Sequence, residues 1–247
     1  MNLLIDLGNS RLKWAQQALG LWRADAATLA EKDMTALLDR VWKKIPAPQK
    51  IMLCSVTRPP ILHALEEWMR AHWSMKPQVI KAQAEQLGVK NGYDKPETLG
   101  ADRWAALIGA RGLTVSAACV VDCGTAVTVD ALSAEGEFLG GVIFPGLRLL
   151  RDSLVQGTAG IDSHDVLGNT KNFPARSTAD GVAAGSLLGL TGAVERLIHE
   201  YRQTLGDAMQ IFVTGGDAPQ IAERLHMPVT LEPDLVLKGL ARIADSL

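Results

Sequence analysis

The chain has 247 residues, 47% of them hydrophobic and 21% charged, with a formal net charge of −2. That supplies a sizeable core for one large domain or two smaller ones without disulfide or metal staples, and it leaves no basic footprint for nucleic acid. No stretch reads as the roughly 20 apolar residues of a membrane span, and three cysteines, an odd and sparse count, point to a reducing compartment, the cytoplasm.

The N-terminus runs straight into a short buried strand over residues 2–6. No charged segment and apolar core precede it, so no signal peptide is expected. The strand ends in Asp6-Leu7-Gly8-Asn9-Ser10. Ligands of α/β sheets gather at the C-terminal ends of strands, and the residue types here suit a phosphate. Asp6 can hold Mg²⁺ through water. Gly8 lets the backbone come close. Asn9, Ser10 and backbone N–H groups can donate to phosphate oxygens, and Arg11 or Lys13 brings positive charge. Read alone, the same residues also describe an ordinary Asp-Gly-Asn turn.

A second strand pattern covers residues 51–56. Ile61, Leu62, Leu65, Trp68, Met69 and His72 then line one face of a helix that Pro59-Pro60 can start. Residues 101–111 predict another helix, with Asp102 and Arg103 in its first turn. Phosphoryl transfer to an alcohol needs a carboxylate to accept the hydroxyl proton, and an arginine fork grips a carboxylate or phosphate. The alternative is that Asp102 only favours the helix N-terminus electrostatically. Tyr93, just upstream, either closes over a substrate or packs as an ordinary aromatic.

A new unit is expected from residue 116. Residues 118–122 read as a buried strand followed by Cys123-Gly124-Thr125-Ala126. Residues 127–132, the Glu135-Gly136 turn and a strand from Phe138 make a hairpin pattern. Asp122-x-Gly124 repeats Asp6-x-Gly8 close to half a chain later, with Thr125 as hydroxyl donor. The echo predicts an α/β fold of two similar domains, 1–115 and 116–247, each opening on a strand and a phosphate-facing turn.

A long helix over 179–201 carries Gly181, Gly185 and Gly189 on one face. Each helical glycine costs about 0.5–1 kcal/mol against alanine, so that face has a close-approach role, against a sheet of its own domain or against a second copy. Residues 210–214 form a strand ending in Thr214-Gly215-Gly216-Asp217, a turn with room for a base or ribose, and 235–246 a short amphipathic helix. Neither the P-loop nor the dinucleotide glycine signature is present. Cys119 and Cys123 share one side of a strand with no histidine nearby, which fits buried structural thiols. Trp14 and Trp104 flank the candidate loops and are candidates to shape a pocket.

Asp6-x-Gly8-Asn9-Ser10, Gly100-Ala101-Asp102-Arg103, Asp122-x-Gly124-Thr125-Ala126 and Thr214-Gly215-Gly216-Asp217, in this order and chain length, resemble type III pantothenate kinase across essentially the whole chain. The resemblance implies two ribonuclease H-like domains of the acetate kinase, sugar kinase, Hsp70 and actin superfamily, with the active site between them. It implies ATP-dependent phosphorylation of pantothenate to 4′-phosphopantothenate, the first step of coenzyme A synthesis, with Asp102 as general base. Tyr93, Gly100, Ala101, Asp102, Arg103 and Thr178 are then substrate-binding. Asp6, Leu7, Gly8, Asn9, Ser10, Arg11, Leu12 and Lys13 wrap the ATP phosphates, joined by Thr125. Asp6 serves Mg²⁺ through water, and Asp122 matches a position for a monovalent cation, K⁺ or NH₄⁺. The implied assembly is a homodimer. Another small-molecule kinase of the superfamily, or a related accessory factor in transcriptional regulation, is the alternative; the binding role would not need Asp102. The first loop ends in Asn-Ser where many members have Asn-Thr, which keeps the hydroxyl.

Overall fold

The computed structural model describes residues 1–29, 33–165, 168–170 and 173–247. The chain divides into two compact units. Unit 1 is Met1–Val115, Gly136–Phe138 and Asp234–Leu247; unit 2 is Ser116–Glu135 and Leu139–Pro233.

Unit 1 opens with β1 (Asn2–Leu7), β2 (Arg11–Ala18) and β3 (Leu21–Thr28), followed by α1 (Met34–Trp42), β4 (Lys50–Ser55), α2 (Pro59–Trp73) and β5 (Gln78–Val79). The sheet order is β3-β2-β1-β4-β5, antiparallel from β3 to β1 and parallel from β1 to β5. Successive side chains of a strand point to opposite faces. Leu3, Ile5 and Leu7 therefore join Leu38, Trp42, Leu65, Trp68 and Met69 in one core. Leu4, Asp6, Met52 and Cys54 point to the other face. Short strands β6 (Glu85–Gln86) and β7 (Val89–Asn91) lead to α3 (Ala101–Leu113). Glu137 and Phe138 pair in parallel with Lys90 and Asn91 of β7.

Unit 2 contains β8 (Ala118–Cys123), β9 (Ala126–Leu132), most of β10 (Glu137–Pro145), α4 (Leu147–Gly157), α5 (Thr178–Leu205), β11 (Gln210–Thr214), α6 (Ala218–Ala222) and β12 (Thr230–Leu231). Its strands run in the order β10-β9-β8-β11-β12. This repeats unit 1: an antiparallel β8–β9 pair, then β11 and β12 added in parallel on the other side of β8. The echo read in the sequence thus corresponds to a repeated strand order. Cys119, Val121 and Cys123 point into the core with Leu187, Leu190, Val194 and Ile198 of α5.

The last element, α7 (Leu235–Asp245), departs from one expectation. It belongs to unit 1 rather than to the domain that precedes it in sequence. It is amphipathic, as expected: Leu235, Val236, Leu237, Leu240, Ile243 and Ala244 are enclosed, while Lys238, Arg242 and Asp245 lie on the outer face. The physical reason for its place in unit 1 is a close helix crossing. A Cβ on Gly239 would stand 1.8 Å from the Ala105 carbonyl oxygen, and one on Gly109 would stand 2.4 Å from that of Leu235. α7 also packs on β1 and β4, beside α3. Such pairing is set by tertiary contact, which no local pattern announces.

α5 corrects a further expectation. By length and composition alone it is apolar enough to cross a bilayer, although half of that stretch is buried inside the fold. Its glycine face is not packed on a sheet: a Cβ at Gly181, Gly185 or Gly189 would meet nothing within 4 Å. Trp14 and Trp104, the two beside the candidate loops, are core residues. Trp14 stands edge-on to Trp42, at 5.8 Å between ring centres, in the unit 1 core. Trp104 is fully buried and donates its indole N–H to Gln86 Oε1 at 3.0 Å.

Candidate active site

In unit 1 the site is built where β1 and β4 end. The turn after β1 is closed by Gly8 N–H donating to the Arg11 carbonyl at 3.0 Å. It leaves Asn9 and Arg11 exposed and Ser10 half-buried. Lys13 lies directly across the ladder from Asp6, so strand register brings it there. Leu7 and Leu12 are core residues that hold this turn and offer only their backbone. Asp6 itself is buried, at 8% exposure. Burial raises its carboxyl above the ordinary value of 3.8. The positive charge of Lys13 opposes this, the negative charge of Asp102 adds to it, and the Cys54 thiol opposes it again. α3 packs on β4, the parallel neighbour of β1, so the two carboxylates stand on adjoining parts of unit 1.

Asp102 sits in the first turn of α3, where the helix dipole favours negative charge, and its Oδ1 accepts from Arg103 N–H at 2.8 Å. Gly100 makes room for it: a Cβ there would come within 2.6 Å of that same Oδ1. Ala101 is the first helical residue. Arg103 is buried, and its Nη1 donates to the Tyr93 hydroxyl at 2.9 Å. Its guanidinium carbon lies 5.6 Å from the Tyr93 ring centre and 5.5 Å from that of Phe138, within cation–π range. The two rings are 5.3 Å apart. Tyr93 is thus tied to Arg103 and not merely a packing aromatic.

In unit 2 the second and third motifs form one structure. Gly124 N–H donates to the Ala126 carbonyl at 3.1 Å, closing a turn like that of Gly8, and the Gly146 N–H donates to the Thr125 carbonyl at 3.0 Å. Gly215, at φ +97°, packs on this turn. A Cβ there would meet Asp122 Oδ1 and the Cys123 carbonyl oxygen, each at 2.5 Å. Asp217 N–H donates to that carbonyl at 2.9 Å. Opposite Asp122 in the ladder is Thr128, whose buried hydroxyl has no hydrogen-bond partner. Thr178, exposed in the first turn of α5, follows Ser177, whose hydroxyl caps the helix at Asp180 N–H.

Sequence reasoning missed four residues near these motifs. Phe138 reaches Arg103 from a distant segment. Cys54 donates its thiol to Asp6 Oδ1 at 3.4 Å. Burial first, then the charges of Asp6 and Asp102, hold that thiol well above its ordinary titration range. The Ser55 and Thr57 hydroxyls, at the end of β4, are buried without partners. The signal available was that parallel strands of an α/β sheet end at the same edge. Cys119 and Cys123 are buried thiols whose titration burial pushes upward. Among the described residues no group of three or more His, Cys, Asp or Glu side chains forms a metal cage.

Two units with one strand order, each with an Asp-x-Gly turn after its first strand, define the actin-like ATPase and sugar kinase fold. A protein described as a 2-dehydro-3-deoxygalactonokinase from Sinorhizobium meliloti shares it, with a TM-score of 0.57 at 13% identity over 100% of this chain and 99% of that one. So does a Baf family transcriptional activator from Campylobacter jejuni, with a TM-score of 0.58 at 20% identity over 99% and 98%. At these identities the likeness is one of fold.

The chain belongs to the type III pantothenate kinase family, whose model matches residues 2–200. The type III pantothenate kinase of Nitrosococcus oceani is 38% identical over 99% of this chain and 94% of its own length.

Proposed function

We infer that the protein is an ATP-dependent kinase that phosphorylates pantothenate in coenzyme A synthesis. Membership of the family supports the substrate and the reaction class. The observation that carries the chemistry is the placement of Asp102 at the start of α3, which packs beside the strand end that holds Asp6, next to an arginine packed with two aromatic rings.

Asp102 accepts the proton of the pantothenate primary hydroxyl as its oxygen attacks the γ-phosphorus. The bond from that phosphorus to the β,γ-bridging oxygen breaks, and ADP leaves. Arg103, oriented by Tyr93 and Phe138, holds the pantothenate carboxylate, and Gly100 and Ala101 shape the approach. Residues Asp6 to Lys13 bind the phosphates through backbone N–H groups, Asn9, Ser10, Arg11 and the Lys13 charge. In unit 2, Thr125 adds a hydroxyl donor for the nucleotide, and Thr178 contacts pantothenate.

The donor set fits Mg²⁺ held through water beside the nucleotide: a single hard carboxylate, Asp6, with no protein cage among the described residues. Bound there, the ion neutralises charge on the transferring phosphoryl group. Asp122 and the orphaned Thr128 hydroxyl fit a monovalent cation, K⁺ or NH₄⁺. We place the enzyme in the cytoplasm, consistent with three free, buried cysteines.

The assembly is a homodimer formed through α5. Its open Gly185 and Gly189 flank an apolar cavity of about 400 Å³ with Phe144, Leu150 and Leu154, and Ile143, Leu149 and Leu188 stand exposed on the same elements. Exposed apolar surface of this kind marks an interaction site.

The test is ADP release with pantothenate and ATP, with and without K⁺ or NH₄⁺. Turnover is expected; none under either condition would overturn the assignment. A regulatory binding role has no use for two neighbouring carboxylates in one site.

A further inference from the structure

Beside Asp6 stands a side chain that the mechanism above does not use. β1 and β4 run parallel and in register, so Asp6 and Cys54 are direct partners and point to the same face of the sheet. Cys54 is fully buried and Asp6 nearly so. The thiol donates to Asp6 Oδ1 at 3.4 Å, a normal length for sulfur.

The terminal torsion of an aspartate is broad and roughly two-fold, so its two oxygens are equivalent unless a neighbour distinguishes them. A donor fixed on Oδ1 distinguishes them and leaves Oδ2 as the oxygen presented outward. The matched position in unit 2 shows that this contact is not a routine product of the strand order. There Thr214 is the parallel partner of Asp122, and its hydroxyl donates to the Pro233 carbonyl at 3.4 Å.

We propose that Cys54 is a positioning residue for phosphoryl transfer, holding the Asp6 carboxylate through Oδ1 in the orientation that receives the Mg²⁺-bound nucleotide. This rests on the reading of Asp6 given above.

The experiment compares Cys54→Val, which stays apolar and loses the donor while adding about one methyl group, with Cys54→Ser, which keeps a donor. Binding of a non-hydrolysable ATP analogue with Mg²⁺ is measured by calorimetry. The Mg²⁺ concentration for half-maximal turnover and the pantothenate KM are measured alongside. In Cys54→Val, analogue Kd and Mg²⁺ requirement should rise roughly three- to tenfold, the scale of a modest hydrogen bond to a charged group, while the pantothenate KM is unchanged. Cys54→Ser should restore both. Analogue binding by Cys54→Val equal to wild type overturns the proposal. So does a Cys54→Ser enzyme as impaired as Cys54→Val, since the sulfur would then matter only as packing. Melting curves establish that each variant is folded, and Cys54→Ala replaces the valine variant if that one is not. Because analogue binding needs no turnover, a wild-type protein inert toward pantothenate would overturn the kinase assignment and still leave the Cys54 comparison decided.

Discussion

Arg103 and Tyr93 lend themselves to a double-mutant cycle. Tyr93→Phe removes the hydroxyl that accepts from Arg103 Nη1 at 2.9 Å and keeps the ring at 5.6 Å from the guanidinium. A hydrogen bond to a buried charged group is worth about 1.5–3 kcal/mol. The low end applies, because the ring contact survives, so kcat/KM for pantothenate should fall roughly tenfold at about 1.4 kcal/mol per decade. Arg103→Lys loses the fork, the same hydrogen bond and the geometry over two rings, including Phe138 at 5.5 Å. It should cost more, on the order of 10²-fold. In the lysine background the Tyr93 hydroxyl has no fork to orient. The double variant should therefore be little worse than Arg103→Lys alone, giving a coupling of about 1–2 kcal/mol. The assay is ADP release over a range of pantothenate concentrations at saturating ATP. Strict additivity would refute the reasoning, because the Tyr93 hydroxyl would then act independently of Arg103.

Asp102→Asn should lower kcat by about 10²–10⁴-fold, the usual worth of a general base, with pantothenate binding by calorimetry little changed; a near-normal kcat would place the base elsewhere. Gly100→Ala puts a methyl group 2.6 Å from Asp102 Oδ1, which is the end of a mobile side chain. It should melt like wild type and yet lose kcat through a displaced carboxylate, whereas a fall in Tm with normal kcat would contradict this. Asp6→Asn should melt above wild type at pH 7 without ligand. Asp6's titration is raised in the fold, so its contribution to stability is full below the ordinary value of 3.8 and is lost as pH rises through the folded value. The Tm gap should therefore shrink on acidification toward pH 4, and a gap that grows instead would reverse the argument. Gly185→Leu fills open space on α5 and should leave the fold intact while shifting mass in light scattering from dimer to monomer; an unchanged dimer would move the interface elsewhere.

Much of the fold was legible where burial imposes a pattern. β1, β4, β8, β9 and β11 carry runs of enclosed apolar residues, and the Asp-x-Gly echo marked the repeat. The β2–β3 hairpin was not legible. β3 is exposed along nearly its whole length, so neither alternation nor an apolar run marks it, and its turn depends on Gly20 at φ +68°. α1 has only nine residues, and its start is fixed by Asp33 capping Thr35 and Ala36 rather than by a long periodic face. α7 was visible as a helix, but its partner was not, because the pairing rests on backbone proximity at Gly109 and Gly239.

The motifs of the candidate site were legible in the sequence, but the packing role of their glycines was not. Gly100 and Gly215 read in sequence as places where a substrate or nucleotide comes close to the backbone. In the structure each first makes room for an aspartate of the chain itself: a Cβ would stand 2.6 Å from Asp102 Oδ1 at Gly100 and 2.5 Å from Asp122 Oδ1 at Gly215. The two differ in what else they meet. At Gly100 the closest obstacle is that flexible carboxylate. At Gly215 it is also the Cys123 carbonyl, on a backbone at φ +97° that disfavours any side chain. The first glycine therefore tunes where an acidic group sits, and the second is a condition of unit 2 folding around its own. A motif glycine beside an aspartate is best read as part of the carboxylate's packing before it is read as part of the ligand's.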